Sequence, residues 1–376
     1  MLNRKNLIVK ILGAVIIITA GWIVMSRLPK SDEGNIVNVY CFYGMIPHTV
    51  LKQFEQETGI KVRFDVYDNN EILEAKLLAT NSGYDVVMPT SPPYIGRQIA
   101  IGIYQSLKAE LLPNLGPLDP TIVEKMQMVD PGLIYTVPYF WGTVGIAFDY
   151  DRVSALLPGV DLNSHALLFD PENLKRLAPH GISFFEEAID VFPAILHYLG
   201  KNSNSDDLQD LEIARKHLEK LRPYIRRFTS SRFINDLIMG DVCLTQAWSG
   251  EAQQAVQEAK EVGRDIRFVT PKEGAGMFID CLAIPKGARH PRNAHAFINF
   301  LIRPDIAAQV TNNTFIPTAI LKSIPLVDDE IRNNKSIYPP LEVMKTLELY
   351  QLPQSEKSSA YERERNRLWA KIRLAR

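Results

Sequence analysis

Cysteine is scarce in this chain. Cys41, Cys243 and Cys281 are an odd number at no metal-ligand spacing, so at most one bridge forms and the fold does not rest on disulfides. Net charge is nearly absent as well: 42 Lys and Arg stand against 43 Asp and Glu, which removes the usual electrostatic motive for binding nucleic acid. The seven histidines form no HExxH or other close metal constellation, and His290 and His295, in the polar stretch around Arg289 to Arg292, read as solvated surface. There is no nucleotide-binding glycine loop, no GxSxG elbow, no internal repeat and no low-complexity tract, so no cofactor is expected. One continuous apolar run stands out, Ile11 to Met25, preceded by Arg4, Lys5 and Lys10 in the order of an export signal. At about 15 residues it is short for a spanning helix of ~20, yet the small-residue cleavage site around Thr19-Ala20-Gly21 is poorly formed. A cleaved signal and a retained anchor both stay open for residues 1–34, and either places the remainder outside the cytoplasm.

At 376 residues with 46% apolar composition, the chain exceeds what one core supports, so two domains are expected. After the polar linker Ser26 to Gly34, strand-like and helix-like segments alternate. Ile36 to Tyr40 reads as a strand, Thr49 to Thr58 as a helix stopped by Gly59, Lys61 to Tyr67 as a strand, Asn70 to Thr80 as a helix, and Tyr84 to Met88 as a short buried strand. Such alternation implies parallel βαβ units with ligands beyond the carboxyl ends of the strands, where Phe42, Tyr43 and Thr90 fall. The stretch Tyr139 to Asp149 reads as a first crossing into a second domain, and the run after Ile266 as the return.

The chemistry gathers in two strings. In Trp248-Ser249-Gly250-Glu251 an indole and a carboxylate stand where the apolar strand Val242 to Ala247 gives way to a helix, a pairing that suits an organic cation. In Met277-Phe278-Ile279-Asp280 an aromatic and an acid lie two apart on an apolar strand, pointing to one side. A carboxylate in such a strand is costly to bury unless a cation meets it.

An ordered set of strings, among them Phe54-Glu55-Gln56-Glu57-Thr58-Gly59-Ile60-Lys61-Val62, Asp68-Asn69-Asn70-Glu71, Tyr198-Leu199-Gly200-Lys201, Phe233-Ile234-Asn235-Asp236-Leu237, Trp248 to Glu251 and Ile337-Tyr338-Pro339-Pro340, resembles the periplasmic polyamine-binding proteins, the spermidine/putrescine receptors of ABC importers, most closely the putrescine-binding members. The resemblance implies an α/β, class II periplasmic binding protein fold of two discontinuous lobes joined by a hinge. The expected division is 35–140 with 268–313 in lobe 1 and 141–267 with 314–376 in lobe 2. It implies a monomeric periplasmic receptor that hands a small cationic amine to an ABC permease with a separate ATPase. Carried over residue by residue, Phe42 matches an aromatic covering the ligand's alkyl chain, Thr90 a hydroxyl of the first lobe, Asp190 a glutamate and Ser230 a polar lining residue. Trp248, Glu251, Phe278 and Asp280 match the aromatics and acids that enclose the amines. Gly44 stands where an aspartate is common, Met45 and Ile316 where tyrosines are common, so the preferred amine is expected to differ in length or charge from that of the closest members.

Each residue also has a plainer reading. Trp248 and the two phenylalanines suit core packing. Glu251 opens a helix, where it complements the macrodipole for about 0.3 to 1 kcal/mol. Asp190 suits an N-cap ahead of Pro193, unless the helix starts at Ser183 and takes the proline inside. Asp280 suits a buried pair with an internal Arg or Lys. The segment Tyr361 to Arg376 reads as an amphipathic helix packed on its own domain. Two other functions remain open: an exported glycoside hydrolase using two of Asp190, Glu251 and Asp280, which calls for carboxyl groups about 5.5 or about 6.5 to 9.5 Å apart in an open cleft, and an anchored sensor of the same fold.

Overall fold

The computed structural model describes residues 34–79, 82–350 and 355–375, so the apolar N-terminal run lies outside the described residues. Among the described residues no helix is long and apolar enough to cross a membrane, and all three cysteines are buried and free.

Strand β1 (Ile36–Phe42) turns Val37, Val39 and Cys41 inward, and helix α1 (His48–Thr58) covers it with Val50, Leu51 and Phe54. Gly59 stops that helix at φ 71°, its N–H donating to the Glu55 carbonyl, a left-handed cap that glycine adopts without a Cβ penalty. The chain returns as β2 (Lys61–Tyr67), parallel to β1 from Ile36↔Lys61 to Phe42↔Tyr67. Helix α2 (Asn70–Leu78) starts at Asn69, whose side chain accepts from Ile72 N–H. Next come β3 (Val86–Val87), β4 (Thr90–Ser91) and the short helix α3 (Tyr94–Ala100).

The long strand β5 (Thr136–Asp149) passes from one sheet to another. Thr136–Thr143 pairs antiparallel with β10 (Ala275–Ala283), whereas Val144–Asp149 pairs with β8 (Leu244–Trp248) and β9 (Ile266–Val269). The path of strands is β2-β1-β3-β10-β5-β8 and then β6 (Ile182–Phe184) and β7 (Arg227–Phe228). The return leg between β9 and β10 is tied to the outgoing one at Thr143 Oγ1 and Thr270 Oγ1, 3.0 Å apart.

Two main cores flank this junction. One is built on Phe54, Tyr139, Phe140 and, from helix α5 (Pro291–Leu301), Phe297, the other on Phe148, Phe169, Phe184, Phe192 and Leu218. At roughly 1.5 to 3 kcal/mol per buried large side chain, each is the main source of cohesion for its half. The expected division needs one correction. Residues 314–349 pack with the first half: Ile316 and Ile320 join its core, and β11 (Leu347–Leu349) adds a parallel strand to β10. Only helix α6 (Glu356–Leu374) returns to the second core, through Tyr361, Trp369 and Ile372. His295 is also not surface: it is 1% exposed, with Nε2 accepting from Lys108 N–H and Nδ1 at 2.6 Å from the Pro291 carbonyl, while His290 bonds Asp85.

Candidate ligand-binding site

Asp280 lies within β10, opposite Phe140 on β5 and Thr90 on β4. Its carboxylate is 2% exposed and accepts a hydrogen bond from Thr90 Oγ1 at 2.5 Å. Asn70, at the start of α2, fixes that threonine twice: its Nδ2 donates to Thr90 Oγ1 and its Oδ1 accepts from Thr90 N–H. Among the described residues no Lys or Arg closes an ion pair on Asp280, so the expectation of an internal cation partner is not met. Burial pushes its pKa up to about 7, the Thr90 hydrogen bond pulls it back, and the Glu251 charge raises it further. Glu251 stands in the first turn of helix α4 (Ser249–Glu261), half-buried, and burial raises its pKa too. A buried carboxylate whose pKa a second acid raises further, with no cation on either among the described residues, makes a site that a protonated amine relieves.

Aromatic faces adjoin this pair. Phe278, two residues before Asp280, is half-buried opposite Gly142 on β5, where a β-carbon would overlap the Phe278 ring and the Ser249 hydroxyl. Ser249 Oγ in turn accepts from Thr143 N–H, locking the first turn of α4 to the crossing strand. Trp248 ends β8 and stacks on Phe185 with ring centroids 4.3 Å apart, leaving part of its indole uncovered. Phe42, at the end of β1, leans on Tyr67 at 4.4 Å.

A second acidic group lies beyond Trp248. Asp190 stands in the first turn of the helix Ala188–Tyr198, and Glu187 occupies the N-cap position, so the N-cap reading of Asp190 is corrected; Pro193 sits inside the helix. Burial pushes Asp190 up to about 8 and Glu187 and Glu71 add to the rise, while the Arg365 guanidinium and the Trp248 indole N–H oppose it. Ser230 donates to the Glu187 carboxylate and accepts from Glu186 N–H at 3.0 Å, so its role is to hold Glu187. Tyr94 O–H donates to Glu71.

The structure therefore assembles Thr90, Glu251, Phe278 and Asp280 as one group and Asp190, Trp248 and Ser230 as a neighbouring one. Tyr43 does not join them: its side chain is 83% exposed, because β1 ends at Phe42 and the chain turns outward there. Met45 and Ile316 are buried in the first core, and Ile316 abuts Gly250 at the start of α4. Glu71, Asn70, Tyr94, Glu187 and Arg365 were not singled out from sequence. Glu71 and Asn70 lie in the string Asp68 to Glu71, the one signal that pointed their way.

The sequence profile described as bacterial extracellular solute-binding protein matches residues 49–337. A putrescine-binding periplasmic protein of Pseudomonas aeruginosa is 39% identical over 352 residues, covering 93% of this chain and 95% of its own length. A putrescine-binding periplasmic protein of Escherichia coli is 37% identical, covering 99% and 98%. Among solved structures, the spermidine/putrescine ABC transporter substrate-binding protein of Streptococcus pneumoniae superposes with a TM-score of 0.76 at 27% identity over 90% of this chain and all of that one. On this evidence the chain belongs to the bacterial extracellular solute-binding proteins, with their two-lobed α/β fold.

Proposed function

We propose that the protein is a periplasmic receptor for a small polyamine of putrescine or spermidine type, which it delivers to an ABC permease driven by a separate ATPase. The observation that carries this reading is the Asp280–Glu251 pair: two carboxylates that burial raises in pKa, with a hydroxyl on Asp280 and no internal cation among the described residues, next along their elements to Phe278 and Trp248. A protonated diamine brings charge to such acids and an alkyl spacer to such rings. The relatives named above as putrescine-binding support the same ligand class.

The receptor acts without catalysis. Ligand contacts made from both lobes stabilise a closed form over an open one, and the closed form docks on the permease. The crossing strand β5 and the return leg, tied by Thr143 and Thr270, are the proposed hinge. The protein acts as a monomer, and residues 1–34 serve as its export signal or its tether to the inner membrane. Titration calorimetry of residues 30–376 with putrescine, cadaverine, spermidine, agmatine and arginine tests the ligand class: micromolar or tighter binding of at least one polyamine is expected. Absence of heat with all five sinks the reading.

A further inference from the structure

Arg365 is 6% exposed, an unusual depth for a guanidinium, which rarely goes inside unpaired. It projects from α6, the last helix, into a small cavity that Pro93, Ile189, Pro193, Tyr350 and Glu362 also line. Those neighbours come from distant stretches of the chain, and Ile189 and Pro193 flank Asp190 on its helix. Two polar atoms in this cavity wall have no hydrogen-bond partner, Arg365 Nε and the Tyr350 hydroxyl. The anions that Arg365 faces are Asp190 and, on its own helix, Glu362, with the Tyr361 and Tyr94 hydroxyls beside them. None closes a tight ion pair on it among the described residues. Asp190 in turn meets Glu187 from its own helix, Glu71 from α2, Trp248 from the end of β8, Arg365 from α6, and the Tyr94 and Tyr350 hydroxyls.

We propose that Arg365 is a positioning residue for the amine site, a fixed interior cation behind Asp190 that favours the charged, hydrogen-bond-accepting form of this carboxylate, so that an arriving amine displaces its proton at lower cost. A buried guanidinium suits this task because it does not lose its proton. It acts on Asp190 against the like charges of Glu187 and Glu71, which favour protonation of that carboxyl. The last helix thereby becomes part of the binding machinery although it contributes no ligand contact.

The proposal rests on the amine reading, and the test separates the two. Putrescine, or whichever polyamine wild type binds most tightly, is titrated into wild type, R365M and R365K at about pH 6.5 and about pH 8.5. Loss of the cation raises the pH needed to ionise Asp190, so R365M is expected to bind about tenfold more weakly at the lower pH and within about threefold to fourfold of wild type at the higher one, one pKa unit being a factor of ten. R365K, which keeps the charge, is expected to stay within about threefold at both. R365M with wild-type affinity at pH 6.5, or with the same loss at both pH values, overturns the role of Arg365. Should R365M fail to fold, D190N and D190N/R365M decide: equal affinities support the proposal, because the arginine acts through Asp190, and a further loss in the double variant overturns it. Wild type that takes up no polyamine overturns the amine reading and this proposal with it.

Discussion

Two acidic groups border the aromatic faces of Trp248 and Phe278, and they are satisfied by different means. Asp280 accepts from Thr90, and neither it nor Glu251 meets a cation among the described residues. Asp190, Glu187 and Glu71 have donors in Trp248, Ser230 and Tyr94 and a buried guanidinium behind them. The first group is left to be neutralised by a guest, whereas the second carries part of its countercharge with it. Both rises in acid pKa begin with burial, so the contrast lies in what offsets it, a hydroxyl in one case and a guanidinium with an indole N–H in the other.

The comparison is broken most directly at Asp280. Asp280→Asn removes the charge that only the ligand meets, and polyamine affinity is expected to fall at least about tenfold, about 1.4 kcal/mol, by calorimetry. Unchanged affinity removes Asp280 from the site. Trp248→Phe keeps the stack on Phe185 but deletes the N–H near Asp190 and weakens the π face; a loss of about threefold to tenfold is expected, together with a steeper decline on acidification. Thr90→Val deletes the hydroxyl that donates to Asp280 and is expected to cost about threefold, with Thr90→Ser near wild type. Tyr43→Ala, on an exposed ring, is expected to change affinity by less than about twofold.

Stability offers an independent handle. Burial lifts Asp280 from the ordinary aspartate value of 3.8 to about 7 in the fold, so between about pH 4 and about pH 7 the folded chain holds a proton that the unfolded chain has released. Its contribution therefore favours the ligand-free fold at the acid end of that window and turns increasingly against it as pH rises to about 7. Asp280→Asn removes this term, and its ligand-free melting temperature is expected to gain on wild type as pH goes from about 5 to about 8. A constant difference across that range contradicts the assignment.

Much of the fold was legible because local signals agreed with the global packing. The strand Lys61–Tyr67 and the left-handed stop at Gly59 came straight from alternation and from a glycine after an apolar periodic run. Asp280 was legible as a candidate because a carboxylate amid Met277, Ile279 and Leu282 has no reason to be buried alone. What stayed hidden depends on contacts between distant stretches. Pro193 suits the first turn of a helix capped by Asp190, yet the helix starts at Ala188 and tertiary packing of Val191, Phe192 and Ile195 carries it through the proline. Ile316 and β11 read as second-lobe residues until their pairing with β10 and the first core is seen. Nothing in the basic string Arg363 to Arg373 distinguishes the buried Arg365 from its solvated neighbours, since the charge is the same and only the helix phase set by Tyr361, Trp369 and Ile372 turns it inward.

The central claim is that a cation neutralises acids that burial holds near or above neutrality. Calorimetry of polyamine binding at about pH 7, run in two buffers of different ionisation enthalpy, counts the protons exchanged. Net release of protons from the protein on binding, with affinity rising from about pH 5.5 to about pH 8, is the predicted result. Binding with no proton exchange and no pH dependence would contradict it.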